Sequence, residues 1–175
     1  LTLLDRAFEK FSRSRSQKLI LAYREFCDAQ ASWLDDFALF MAIKEVQGGG
    51  SWASWPDELR TRQPEALSEF NKQYRKLIEK QKFRQFIFFT QWAKVKQYAS
   101  DKGLQIIGDI PIFIAYDSAD AWANPELCYI DRNGKPTHVA GVPPDYFSPT
   151  GQLWGNPLYK WNVHKKQNYQ WWIER

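Results

Sequence analysis

The residues of this chain that could do chemistry gather in two short stretches. One is AGVPPDYFSPTGQLWGNP, residues 140–157, which holds four prolines, three glycines, three aromatics and a single carboxylate. Asp145, Tyr146 and Phe147 fall together in it, and Gln152, Trp154 and Asn156 follow. Aromatic faces beside carboxylate and amide groups suit a neutral polyhydroxylated ligand. The apolar C–H faces of a pyranose lie on an aromatic ring, and Asp, Asn and Gln side chains bracket its hydroxyls. Prolines and glycines preset the backbone and lower the entropy cost of holding such a platform. The same composition is also satisfied if Tyr146, Phe147 and Trp154 anchor the loop to the protein, and composition alone does not separate the two readings.

The second stretch is LQIIGDIP. Leu104, Ile106 and Ile107 form a short apolar run directly after a helical segment, the pattern of a fully buried parallel strand. Asp109 follows at the carboxyl end of that run, where α/β sheets and barrels place their sites. It serves equally well as a cap for the backbone amides that come next.

The elements that must position these residues change character along the chain. The first hundred residues read as helices. One runs from Ser16 with Leu19, Ile20, Tyr23, Phe26 and Cys27 at helical spacing. Another is predicted to start at an N-cap on Ser32, with Asp35 and Asp36 supplying first-turn charge rather than catalysis, and to stop at Gly48-Gly49-Gly50. Trp52 and Trp55 read as packing an irregular connection onto the helices. Pro64 opens a further helix with Leu67, Phe70, Tyr74, Leu77 and Ile78 as its buried stripe. The segment from Phe83 through Tyr98 is aromatic enough to be expected covered on most sides, with Gly103 as a left-handed C-cap. After residue 115 the periodicity fades. Asn133-Gly134 predicts a small hairpin between LCYI and THVAGV, and a closing helix is predicted from about Asn162.

Several functions are excluded or disfavoured at this level. Neither the triple glycine nor Gly108 fits a phosphate-binding GxGxxG or GxxxxGK[ST] loop. The net charge of +4 and pI of about 9.0 come from Lys and Arg spread among acidic residues. Tyr146, Phe147 and Trp154 have no basic neighbour before Lys160, so nucleic acid is not the expected partner. Cys27 and Cys128 lack zinc or disulfide spacing, and His138 and His164 stand alone, which makes structural roles the expectation. No run approaches the ~18 apolar residues of a membrane span, and a membrane is not an expected partner either.

The stretch IIGDIPIFIAYDSADAWANPELCYIDRNGKPTHVAGVPPDYFSPTGQLWGNPLYKW, residues 106–161, closely resembles the 4-α-glucanotransferases of glycoside hydrolase family 77. WLDDFALFMAIKE and FFTQW upstream are similar to that family too. The resemblance implies an α/β fold, a fragment of a (β/α)8 TIM barrel. Residues 1–102 would be a largely helical insertion. Residues 103–175 would hold the third barrel strand, a small hairpin, the long substrate-binding loop and the start of the next helix, with no independent second domain. It implies transfer of α-1,4-glucan segments between maltooligosaccharides by a retaining double displacement, in which an aspartate attacks the anomeric carbon and a glutamate acts as acid, then base. The family's nucleophile motif resembles RIDHFRG, and no such stretch occurs here. The catalytic carboxylates are therefore expected C-terminal to this chain, which would hold no catalytic residue and be inactive alone.

Matched residue by residue, the resemblance puts substrate contacts at Asp109, Asp145, Tyr146, Phe147, Gln152 and Trp154. Asp109 falls on the strand-end aspartate nearest the cleavage point and Asp145 on the loop aspartate that bonds hydroxyls. Tyr146 and Phe147 fall on the aromatic tip over the glucan. Asp117, Asp120 and Trp122 match motif positions whose role reads as structural, and Ala121 replaces a larger aliphatic. No metal or organic cofactor is implied. The expected partners are maltooligosaccharides and α-1,4-glucans, in the cytoplasm or a plastid, with the oligomeric state left open. A glucan-binding module that kept the loop and lost the active site is the alternative.

Overall fold

The computed structural model describes residues 2–175, which divide into two compact units built from interleaved segments. Unit 1 comprises residues up to Val46 together with Ser68–Ile110; unit 2 comprises Gln47–Leu67 and Pro111–Arg175.

Unit 1 is helical. Helix α1 (Leu3–Ser12) starts in a capping box, with the Thr2 side chain taking the Asp5 N–H and Asp5 taking the Thr2 N–H. Those two bonds, with Arg84 and Lys80 beside them, hold the Asp5 carboxyl down at about 2. Helix α2 (Gln17–Ala29) is capped by Ser16, as the sequence predicts. Helix α3 (Ala31–Val46) begins one residue before the expected cap. Gln30 takes the N-cap place, its carbonyl accepting the Trp33 and Leu34 N–H groups, so Ser32 lies inside the first turn. Asp35 forms an ion pair with Lys82 of the long helix α6 (Arg75–Asp101).

Phe8, Tyr23, Phe83 and Phe86 form the core where α1 and α2 meet α6, with Phe11 stacked on Phe83 at 4.8 Å. Burying aromatics of this size contributes about 1.5–3 kcal/mol each before entropy is counted. The Tyr23 hydroxyl donates to Glu79 at 2.7 Å, and burial keeps it firmly protonated.

Helix α6 departs from the expectation that it is covered on most sides. Phe83 and Phe86 are buried, but Phe88, Trp92 and Val95 are exposed. At 100° per residue these three fall on the face opposite Phe83, so α6 carries two apolar stripes of which this chain fills one. The helix ends as predicted at Gly103, φ +71°. There the Gly103 N–H bonds to Ser100 and the Leu104 N–H to Ala99, a Schellman closure. The strand expected next is not formed. Residues 104–110 have no regular structure and Ile107 is 93% exposed. A parallel strand exists only with hydrogen-bonded neighbours on its edges, and the described residues offer none.

Unit 2 is held together by tryptophans. Trp52 and Trp55 are buried, Trp52 against Tyr116 at 5.4 Å and Trp55 edge to face on Trp122 at 5.7 Å. Trp52 donates its indole N–H to the Tyr116 carbonyl at 2.7 Å and its backbone N–H to Asp117 at 3.3 Å. Trp122, on the short helix α7 (Ala119–Ala123), donates to the Leu59 carbonyl of α4 (Asp57–Arg60) at 3.0 Å and carries Arg62 over its ring. Ala121 beside it is fully buried. Helix α5 (Pro64–Gln73) opens on Pro64 as predicted.

The Asn133-Gly134 turn is present, with Asp131 accepting the Asn133 and Lys135 N–H groups. Gly134 has φ +76°, and a Cβ there would sit 2.8 Å from the Trp52 ring. The expected small hairpin forms over a few residues: the Asp131 N–H bonds to the Lys135 carbonyl at 2.8 Å and the Thr137 N–H to the Tyr129 carbonyl at 2.7 Å, on either side of an Ile130–Pro136 bridge. Beyond it β1 (Val139–Val142) pairs antiparallel with β2 (Gln152–Pro157), in the register Gly141 to Leu153 and Val142 to Gln152. The closing helix is split into α8 (Trp161–Lys166) and α9 (Gln170–Glu174) by positive φ at Asn168 and Tyr169. His164 is buried, as a structural role requires, with Nε2–H on the Leu127 carbonyl at 3.2 Å. Cys27 and Cys128 are free thiols. Among the described residues no helix is long and apolar enough to cross a membrane.

Candidate functional site

The pairing of β1 with β2 turns the expected substrate loop into the tip of a hairpin. Pro143, Pro144 and Pro149 fix three φ angles within residues 143–151. Gly151 closes the loop at φ +73°, in a place where a Cβ would meet the Val142 carbonyl at 2.6 Å.

Asp145 sits at the tip. One of its oxygens, Oδ1, accepts the Phe147 N–H at 2.9 Å and the Ser148 N–H at 2.8 Å, an Asx-type closure. Its other oxygen takes no hydrogen bond from any described residue. Tyr146 and Phe147 meet edge to face at 5.6 Å and are 95% and 87% exposed. They do not anchor the loop. Trp154, half exposed, is the one of the three aromatics for which anchoring applies in part, since it leans on Phe113 at 6.1 Å. Its indole N–H donates to Gln152 Oε1 at 3.0 Å, which leaves the amide NH2 as a donor. An open cleft of about 600 Å³ runs beside the stem, with Gln152 and Thr150 on its wall.

The tip thus offers an acceptor and two bare ring faces, and the base offers a donor and a third ring. That set can bracket hydroxyls and stack on C–H faces. It cannot break a glycosidic bond, because such chemistry takes a pair of carboxylates and Asp145 is the only carboxylate of the hairpin.

Asp109 belongs to unit 1 and is exposed, with Oδ1 accepting the N–H of the next residue, Ile110, at 2.8 Å. This is the backbone-capping alternative in its simplest form. Asp117 and Trp122 make the packing bonds described above, which fits structural roles; Asp120 lies in the first turn of α7.

Asn156, read from sequence as a further amide for sugar hydroxyls, donates its NH2 to the Ile114 carbonyl at 2.8 Å. Two residues that contribute to the hairpin's surroundings were not singled out from sequence. Phe113 stacks on Tyr159 and supports Trp154. Ser148 ties the loop to itself. A serine between an aromatic and a proline is too ordinary a pattern to signal such a role.

A family model described as 4-alpha-glucanotransferase, Glyco_hydro_77, matches residues 1–175. The 4-alpha-glucanotransferase of Synechocystis sp. is 45% identical over 174 residues, which cover 99% of this chain and 34% of that protein. That of Thermus thermophilus is 46% identical over 172 residues, covering 98% and 34%. Among solved structures, the amylomaltase from Streptococcus agalactiae in complex with acarbose is similar with a TM-score of 0.92 at 39% identity, over 98% of this chain and 34% of that one. The chain therefore spans about a third of the length of these relatives. The structural likeness places the fold in the α/β class, although the strands described here form only one two-stranded sheet.

Proposed function

The chain belongs to the Glyco_hydro_77 family of 4-alpha-glucanotransferases, and we propose that it is the substrate-gripping part of such an enzyme. In this reading residues 1–102 are a helical insertion and residues 103–175 a strand, loop and helix start of a (β/α)8 barrel. Two features support it. The apolar run at residues 104–107 is exposed and unpaired, and α6 has a second apolar stripe on its open face. Neighbouring barrel strands and helices are what such surfaces would need to be buried.

The observation that carries the functional reading is the Tyr146–Phe147 pair, held almost fully exposed at the end of a proline-pinned loop. A transferase must let an acceptor sugar, rather than water, reach a covalent glycosyl intermediate. A lid of two aromatic rings excludes water and gives the acceptor a face to lie on. Asp145 through its free oxygen, Gln152 through its amide and Trp154 through its ring would fix the hydroxyls and register of an α-1,4-glucan. Asp109 would approach the sugar nearest the cleaved bond. The nucleophile and acid/base carboxylates lie in the remainder of the polypeptide, and the cell compartment is the cytoplasm or a plastid.

The test is product analysis on maltotriose with the full-length polypeptide that carries this chain. Tyr146→Ala or Phe147→Ala should raise the ratio of hydrolysis to transfer about two- to tenfold, the worth of one aromatic contact. An unchanged ratio in both variants would remove the lid from the mechanism.

A further inference from the structure

Tyr146 and Phe147 pose a physical question that their exposure sharpens. Apart from their edge-to-face contact with each other, no ring contact of the described residues holds either one, so their aim must come from the backbone beneath them. Of residues 143–150, Ser148 alone is partly buried. Its N–H donates to Asp145 Oδ1 at 2.8 Å. Its carbonyl accepts the Asp145 N–H at 3.0 Å and the Gly151 N–H at 3.1 Å. Its hydroxyl donates to the Gly151 carbonyl at 2.7 Å. Every polar atom of Ser148 is therefore used inside the loop, and two hydrogen-bonded rings, 145–148 and 148–151, share it as their common member.

We infer that Ser148 is a positioning residue that couples the aromatic tip to the Gln152–Trp154 base and so sets the balance between transfer and hydrolysis. The inference rests on the lid reading given above. The first ring fixes the backbone that bears Tyr146 and Phe147. The second joins that ring to Gly151, the residue next to Gln152. The only side-chain bond of the second ring is the Ser148 hydroxyl. Removing it frees the tip to turn relative to the base while leaving both aromatic rings and the Asp145 brace in place. The stem ladder of β1 and β2 lies outside both rings, so the hairpin itself persists.

In the full-length polypeptide that carries this chain, Ser148→Ala is compared with Ser148→Thr and with the double variant Tyr146→Ala/Phe147→Ala, on maltotriose. Ser148→Ala should raise the hydrolysis-to-transfer ratio about two- to tenfold, the range set by one hydrogen bond, with its thermal midpoint unmoved. Ser148→Thr, which keeps the hydroxyl, should return the ratio to the parental value. If Ser148→Ala leaves the ratio where it was while the double variant shifts it, the coupling is overturned and the lid stands. If the double variant also leaves it unmoved, the lid fails and the coupling with it. A shift that threonine does not reverse overturns the assignment to the hydroxyl. Should Ser148→Ala fold poorly, Ser148→Cys against Ser148→Thr carries the test, since a thiol keeps the volume and donates only weakly. Cys should raise the ratio and Thr should not; equal ratios overturn the inference.

Discussion

Unit 1 and unit 2 solve the same problem of burial by different means. In unit 1 regular helices present side chains every third or fourth position, and Phe8, Tyr23, Phe83 and Phe86 interdigitate because each helix carries a stripe. Its backbone amides are satisfied inside the helices. Unit 2 has little regular backbone to do that. Large side chains reach out to individual carbonyls instead, Trp52 to Tyr116, Trp122 to Leu59 and Asn156 to Ile114. The stability of the first unit is spread over a pattern, and that of the second is concentrated in a few residues. Concentration leaves the rest of unit 2 free to project polar and aromatic groups, and the hairpin tip is where it does so.

That contrast puts the largest effect of a single change on a unit 2 tryptophan. Trp122→Ala removes a buried ring, the bond to the Leu59 carbonyl and the seat of Arg62. It should cost about 3–5 kcal/mol and show as an early, separate step in denaturant monitored by tryptophan fluorescence, while helical circular dichroism persists. Loss of both signals together would break the distinction between the units.

Within unit 1 the pattern makes a finer claim about α6. Phe83→Ala should cost about 3 kcal/mol or more, and Phe88→Ala, on the exposed stripe five positions on, less than about 0.5 kcal/mol in this chain. Comparable midpoint shifts in urea would show that the second stripe is already buried. Next in size, Gly151→Ala places a Cβ against the Val142 carbonyl at a positive φ. It should cost about 1–3 kcal/mol, seen as lost hydrogen-exchange protection confined to β1 and β2.

The smallest effect concerns His164. Burial lowers its pKa below the ordinary 6.5, and its Nε2–H is already spent on the Leu127 carbonyl, so a proton on Nδ1 would have no acceptor. Below pH 6.5 the unfolded chain takes up a proton that the folded chain refuses, and stability falls by at most about 1.4 kcal/mol per pH unit until the folded imidazole also titrates. Above 6.5 this group adds no pH dependence. Thermal midpoints followed from pH 7.5 to 5 should slope in the parent and flatten in His164→Gln; parallel slopes would clear His164 of the effect.

The two units also differ in how much of them is legible in the sequence. The starts at Ser16 and Pro64 and the stop at Gly103 were legible because caps and φ restrictions are local. Ser32 misled because Gln30 ends one helix and caps the next, and only the geometry of that joint decides which residue fills the place. The apolar run at residues 104–107 looked like a strand because composition records a wish for burial without recording who supplies the partner. In unit 2 the Asn-Gly turn and the short pairing across it were visible, but beyond Thr137 the chain takes β2 as its partner while the Tyr129 N–H goes to the Leu158 carbonyl, a choice made by residues far along the chain. At the hairpin the exposed residues announced themselves by type, while Ser148 was invisible, since its importance lies in four bonds and not in its character.

The interleaving of the units has a consequence for synthesis. The Trp52 indole N–H finds its acceptor at Tyr116, 64 positions later, and Asp117 and Gly134 follow later still. At about 5–20 residues per second on the ribosome, that acceptor is made some 3 to 13 seconds after the tryptophan. During that interval a bulky apolar loop carrying Trp52 and Trp55 emerges between two stretches of unit 1, with no native place to go. A nascent chain arranged in this way is a natural client for chaperones that hold exposed aromatics. Slowing translation between residues 60 and 115 should lengthen that dependence, whereas slowing it within the first 40 residues should not.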